Sequence, residues 1–195
     1  MLINEKASRK HQIESEATQM FRSKGYAGSS MRDLAANLGI EAASLYSHVK
    51  SKEEILQKIC FRIAQNFLEV LQKVLADKKR PIESLREAII MHCLVMTRDV
   101  SASAVFWNEW KHLSGKSKEE FIQMKTKYED VFISLISEGI NSGEIRSIDS
   151  KFAALTILSS LNCIHTWYKP DGNLAPRQVG EELAGMLLSG IQNKK

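Results

Sequence analysis

Apolar residues recur at helical spacing along most of the chain, and the breaks between runs mark its elements. Ile13, Ala17, Met20 and Phe21 keep an i, i+4, i+7, i+8 stripe that Gly25 closes. Leu34, Ala35 and Leu38 form a shorter stripe, opened by the Ser30-x-x-Asp33 capping signature and closed by Gly39. Ile40 plugs a three-residue turn, and Leu45 and Val49 point inward from a helix over 42–48. Ile55, Ile59, Ile63, Phe67, Leu71 and Val74 then stripe one long helix to about 76. The run DKKRP breaks the pattern, and Pro81 suits the first turn of a helix to 98 carrying Leu85, Ile89, Cys93 and Met96. An aromatic-rich helix over 101–113, a long one over 118–141, a nearly all-round apolar one over 150–168 and a last one over 177–192 follow. These nine helices predict an all-α chain: an N-terminal three-helix helix-turn-helix domain over 1–52 and a larger C-terminal helical domain over 53–195.

The polar face of the helix-turn-helix carries the first functional signal. Ala42, Ala43, Ser44 and Ser47 are small enough to let a helix enter a major groove about 12 Å wide, where Ser bonds base edges and Ala touches thymine methyls. Tyr46, His48, Lys50 and Lys52 form a rim suited to phosphates, and Ser29 and Ser30 complete the predicted DNA-contacting set. Lys52 also opens the next helix, with Ser51 as cap and Glu54 three residues on, so backbone N–H groups face the same anion. Lys6, Arg9, Lys10 and His11 read as a basic arm ahead of the first helix, or equally as a solvated tail.

Composition narrows the picture without changing it. With 195 residues, 44% apolar and 26% charged, the chain can bury one large core or carry a small domain on a larger one. Three Pro and ten Gly leave little scope for a turn-rich β fold. A net charge of +4 allows nucleic-acid binding without demanding it. Three widely spaced Cys argue against a disulfide framework, and neither a signal-like start nor a membrane span is expected, so the reading is cytoplasmic. No cofactor or metal is expected.

At these residues the chain resembles the TetR/AcrR family of transcriptional regulators. The resemblance is carried in order by Phe21, Gly25, Tyr26, Asp33, Leu34, Ala35, Gly39, Ile40, Ser44, Leu45, Tyr46, His48, Ser51, Lys52, Glu53, Ile55 and Leu56, over roughly the first 60 residues. Two positions depart from the family pattern: Glu41 replaces the usual Ser or Thr cap of the recognition helix, and Val49 the usual Phe. The Glu41 carboxylate favours a helix start but repels phosphates, which bears on base preference.

Ala153, Ala154, Ile157, Leu158, Leu161 and Ile164, with Val179, Leu183, Met186, Leu187 and Ile191, offer more apolar surface than one core needs. The resemblance implies that the terminal helices pair in a homodimer, whose expected interface is Ala154, Ile157, Leu158, Leu161, Leu183, Met186 and Leu187. It also implies a cavity for a small hydrophobic effector, expected to be lined by Met91, Cys93, Phe106, Trp107, Trp110, Phe121, Met124, Tyr128, Asn162, His165 and Trp167. Most of these residues serve ordinary core packing equally well. The segments LISEGINSGEIRSID and LNCIHTWYKPDGNLAP are similar to family members that respond to acyl-CoA thioesters, which would bring Arg86, Arg98, Lys111 or Lys125 to the CoA phosphates, although each reads more readily as part of a charged, solvated helix face. The implied function is a ligand-released repressor acting as a dimer on a palindromic stretch of double-stranded DNA.

Two other classes bear on the same residues. A helical-bundle metalloenzyme is suggested by Glu109-x-x-His112, but such a site needs a second copy and two more inward Glu. Cys163 and His165 stand two apart and cannot share a helix face, and adjacent His92 and Cys93 fail likewise. The other class, a dimeric ligand-binding protein without specific DNA recognition, draws on Glu41.

Overall fold

The computed structural model describes residues 2–193, with side chains from Arg9 onward. Its helices are α1 (Leu2–Lys24), α2 (Met31–Asn37), α3 (Ala42–Tyr46), α4 (Lys52–Ala76), α5 (Pro81–Arg98), α6 (Val100–Glu109), α7 (Gly115–Asn141), α8 (Ser150–Asn162), α9 (Ile164–Trp167) and α10 (Pro176–Ser189). A 3-10 turn, Trp110–His112, follows α6. The only β pairing among the described residues is an antiparallel bridge from Ile145 to Gln192. No single helix there is long and apolar enough to cross a membrane.

The all-α expectation holds, with two corrections. The helix over 150–168 breaks at Cys163, where ψ is 0°. Around the break the Cys163 thiol donates to the Ser160 carbonyl (3.1 Å), the Thr166 hydroxyl donates to the Cys163 carbonyl (2.7 Å), and His165 Nδ1 lies 2.8 Å from the Asn162 carbonyl. Side chains that engage carbonyls in this way compete with the helical ladder. Arg9, Lys10 and His11 are part of α1 and do not form an arm ahead of it; the Lys6 side chain lies outside the described residues.

Packing gathers the chain into two compact units. One holds the residues through Ile63 together with Ser101–Phe121; the other holds Ala64–Val100 and everything from Ile122 on. This division differs from the motif-based boundary at 52/53 because the segment after Val100 packs with the N-terminal helices. Gln19 Nε2 and Arg22 Nη1 donate to the Ser101 hydroxyl (3.2 and 2.7 Å), and Glu53 Oε1 accepts from the Ser114 amide and hydroxyl (2.9 and 2.7 Å).

The first unit's core is made by Ile13, Ala17 and Phe21 of α1, Leu34 of α2, Leu45 of α3, and Ile55, Leu56 and Ile59 of α4, all fully buried. Each large one contributes about 1.5 to 3 kcal/mol of apolar transfer. In the second unit α10 lies along α5. A Cβ at Gly180 would come 2.9 Å from the Ile90 Cα and 3.2 Å from its carbonyl oxygen, so glycine sets that close approach. The end of the chain is stapled to the turn after α7: the Arg146 amide donates to the Ile191 carbonyl (2.9 Å) and the Asn193 amide to the Glu144 carbonyl (3.0 Å).

Candidate nucleic-acid interface and effector region

The interface begins with the cap of α2. The Ser30 hydroxyl oxygen accepts from the Asp33 amide (3.1 Å), the hydroxyl half of the predicted capping signature, while the Asp33 carboxylate accepts from the Ser30 hydroxyl (2.7 Å). Leu34 and Ala35 are buried, and Gly39 takes φ +63° as the chain leaves the helix. Asn37 Nδ2 donates to Glu16 Oε1 (2.8 Å), tying α2 back to α1.

Five residues make α3. Its start carries no side-chain cap, because Glu41 makes no such bond; the Glu41 carbonyl still accepts from the Leu45 amide (3.1 Å). With Leu45 and Val49 buried beneath, Ala43, Ser44, Tyr46 and Ser47 face solvent, and Ala42 and His48 are half-buried. Tyr46 is 52% exposed, an unusual position for an aromatic side chain without a partner. The Ser47 hydroxyl donates to the Ser44 carbonyl (2.7 Å), and the Ser44 side chain is exposed. Lys50 is exposed beside this face.

Two predicted contacts have other tasks. Ser29 is buried, and its hydroxyl donates to the Gly25 carbonyl (2.7 Å), so it supports the turn and is not presented to DNA. Lys52 Nζ donates to the carbonyls of Tyr26 and Ser29 (2.7 Å each) and sits 4.2 Å from the centre of the Tyr26 ring. Two of its three donors are thereby used, and its first role is to clamp the α1–α2 connection to the start of α4. That start is otherwise as predicted: Ser51 caps the Glu54 amide (3.1 Å). Glu54 accepts from the Lys50 amide and from Lys58 Nζ (2.6 Å each), which hold its carboxyl below the ordinary range.

Residue spacing carries no signal for the support behind this face. The His112 ring stacks on Tyr26 at 4.9 Å, and Phe21 meets Tyr26 edge-on at 5.3 Å. Burial and the nearby Glu53 raise the Tyr26 pKa. Glu109, offered as half of a metal motif, lies 3.4 Å from His112 Nε2.

The residues expected to line an effector cavity fall into separate groups. In the first unit Phe106 meets Trp107 (4.9 Å) and Phe121 (5.3 Å), and Trp110 stacks on Phe121 (5.5 Å). In the second, Tyr128 is buried against Phe67, His92 and Phe132, while Met124, Asn162 and His165 are half-buried. Trp167 does not face inward: it is 46% exposed and borders an open hollow with Tyr168, Leu174 and Val179. Met91 likewise lines a surface hollow of about 200 Å³ beside Asn66, Lys73 and Arg98.

The expected dimer face needs a similar correction. Ala154, Ile157, Leu158 and Leu161 are buried inside the protomer and cannot meet a partner. The apolar side chains that α8 turns to solvent are Phe152 (65% exposed) and Leu155; on α10 they are Met186 (72% exposed), flanked by half-buried Leu183 and Leu187.

Comparison with known proteins places this architecture. The family model for bacterial regulatory proteins of the tetR family matches residues 13–59, and that for the tetracyclin repressor-like C-terminal domain matches residues 78–191. The chain is 27% identical over 191 residues to the HTH-type transcriptional repressor KstR2 of Mycolicibacterium smegmatis, covering 95% of this chain and 91% of that one. Among solved structures, the ketosteroid transcriptional regulator KstR2 of Mycobacterium tuberculosis shares the fold, with a TM-score of 0.90 at 22% identity over 95% of this chain and 96% of that one. AibR, solved in complex with isovaleryl coenzyme A and operator DNA, superposes with a TM-score of 0.79 at 29% identity over 91% of this chain and 97% of that one. The chain belongs to the TetR family: it is a helix-turn-helix transcriptional repressor and not an enzyme.

Proposed function

We propose that this repressor acts as a homodimer on a palindromic operator and is released from it by a small hydrophobic effector of the acyl-CoA class. The observation that carries the dimer is that Phe152, Leu155 and Met186 stand in solvent on α8 and α10. Large apolar side chains so exposed are costly on a lone protomer and are covered in a twofold pair. Twofold pairing sets two α3 helices about 34 to 36 Å apart, one turn of duplex. The effector class is supported by AibR, whose structure holds isovaleryl coenzyme A and operator DNA together. Arg86, Arg98 and Lys111 are exposed cations of the kind a CoA phosphate would meet, whereas Lys125 is paired with Glu129 at 3.2 Å.

Release follows from α4. The clamp of Lys52 on the Tyr26 and Ser29 carbonyls and the Ser51 cap fix the first turn of this helix to the helix-turn-helix. A tilt of α4 therefore moves α3 instead of being absorbed at the junction. The effector acts by preferring one of two dimer shapes, and only in proportion to that preference. Titrating acyl-CoAs into the protein bound to the DNA flanking its own gene tests this reading. The expected result is release with thermal stabilisation of the free protein; neither effect across the panel would sink the effector class.

A further inference from the structure

The second unit buries a polar pair in apolar surroundings. His92 of α5 and Tyr128 of α7 are buried, with His92 Nδ1 3.0 Å from the Tyr128 hydroxyl oxygen. The Phe67 ring lies 4.6 Å from the imidazole and 5.2 Å from the Tyr128 ring, and Phe132 lies 5.4 Å from the latter. Burial drives the His92 pKa down to about 3 and that of Tyr128 well above its ordinary value, so both rings are neutral. A neutral imidazole holds one proton, and which nitrogen carries it is set by the partner of the other. The Tyr128 O–H has His92 Nδ1 as its one partner among the described residues, so Nδ1 accepts and the ring proton resides on Nε2. Nε2 itself is buried with no hydrogen-bond partner among the described residues. Folded proteins seldom leave a buried donor in this state, and each instance calls for an explanation.

We infer that His92 Nε2–H is a specificity-determining donor that reads a carbonyl oxygen set within the apolar body of the effector, with Tyr128 as the positioning residue that fixes the tautomer. This rests on the reading that the C-terminal unit takes up a small hydrophobic effector. The pair discriminates by what each carbon of a ligand leaves unpaired. A ketone accepts and donates nothing, so every polar group is satisfied. A hydroxyl accepts but brings a proton of its own that Nε2–H cannot accept, and a methylene leaves Nε2–H bare. The order of affinity is therefore ketone, then hydroxyl, then methylene.

The test uses the full chain and medium-chain acyl-CoAs identical except at one mid-chain carbon, which is a ketone, a hydroxyl-bearing carbon or a methylene, together with the matching free acids. Affinities are read by calorimetry. The expected preference for ketone over methylene is about tenfold, the yield of one neutral hydrogen bond in a dry site. His92→Leu removes that preference while leaving the methylene chain bound. Tyr128→Phe keeps the ring but frees the imidazole to expose either nitrogen, so the hydroxyl chain rises to meet the ketone; this variant serves as well should His92→Leu not fold. Equal affinity for the three carbons, or equal loss of all three in His92→Leu, would overturn the inference. A His92-dependent ketone preference among free acids, without binding of any thioester, would uphold it and remove the CoA class. Binding of neither series would overturn both.

Discussion

The N-terminal and C-terminal units handle polarity in opposite ways. In the first, α3 buries Leu45 and holds Ala43, Ser44 and Ser47 in solvent. In the second, Phe152, Leu155 and Met186 stand in solvent while His92, Thr97 and Tyr128 are buried. Small side chains over an apolar base, with Tyr46 also in solvent, suit a groove lined with donors and acceptors; exposed apolar side chains suit another apolar surface. On the proposed reading the contrast teaches that each face is matched to a different class of partner.

The strongest way to break the contrast is to give the second unit's face the polarity of the first. Phe152→Glu with Met186→Glu places two carboxylates where the dimer would exclude water, at a cost of about 3 to 5 kcal/mol for each unpaired buried charge. Sedimentation is expected to show folded monomer, with operator affinity lost. Gly180→Ala touches the buried side of α10, against Ile90, and should instead weaken the protomer by about 1 to 3 kcal/mol in denaturant titration.

Within the first unit, two changes separate support from reading. Lys52→Met leaves the Tyr26 and Ser29 carbonyls without their charged donor, lowers stability by about 2 kcal/mol, and weakens operator and random DNA alike. Ser44→Ala leaves stability unchanged and costs about 1 kcal/mol of operator preference, with random-sequence affinity untouched. Equal losses on both duplexes would remove Ser44 as a base reader.

Much of this was legible in the sequence wherever local chemistry decides the outcome. The Ser30 cap, the Gly39 stop, the buried Leu45 and the Ser51 cap all follow from spacing, because each is settled within four residues. Roles that depend on distant partners were not. Ser29 and Lys52 look like phosphate ligands by type, yet the carbonyls of Gly25, Tyr26 and Ser29 claim them. The helix over 150–168 is apolar on nearly every side, so periodicity could not choose which side met its own core; the buried set proved to be Ala153, Ala154, Ile157, Leu158, Leu161, Ile164 and Tyr168. Nor could it show the break at Cys163, which rests on side chains turning back to carbonyls. The packing of Ser101 and Ser114 against the N-terminal helices left no periodic trace at all.

The assignment of one face to DNA and the other to a second copy is tested most directly by counting protomers on a single inverted-repeat duplex from beside the gene, by sedimentation at low and moderate salt. The account predicts a dimer in free solution and an even number of chains, two per repeat, on the duplex. A monomer in solution that binds singly, or a complex no tighter than with random DNA, would contradict it.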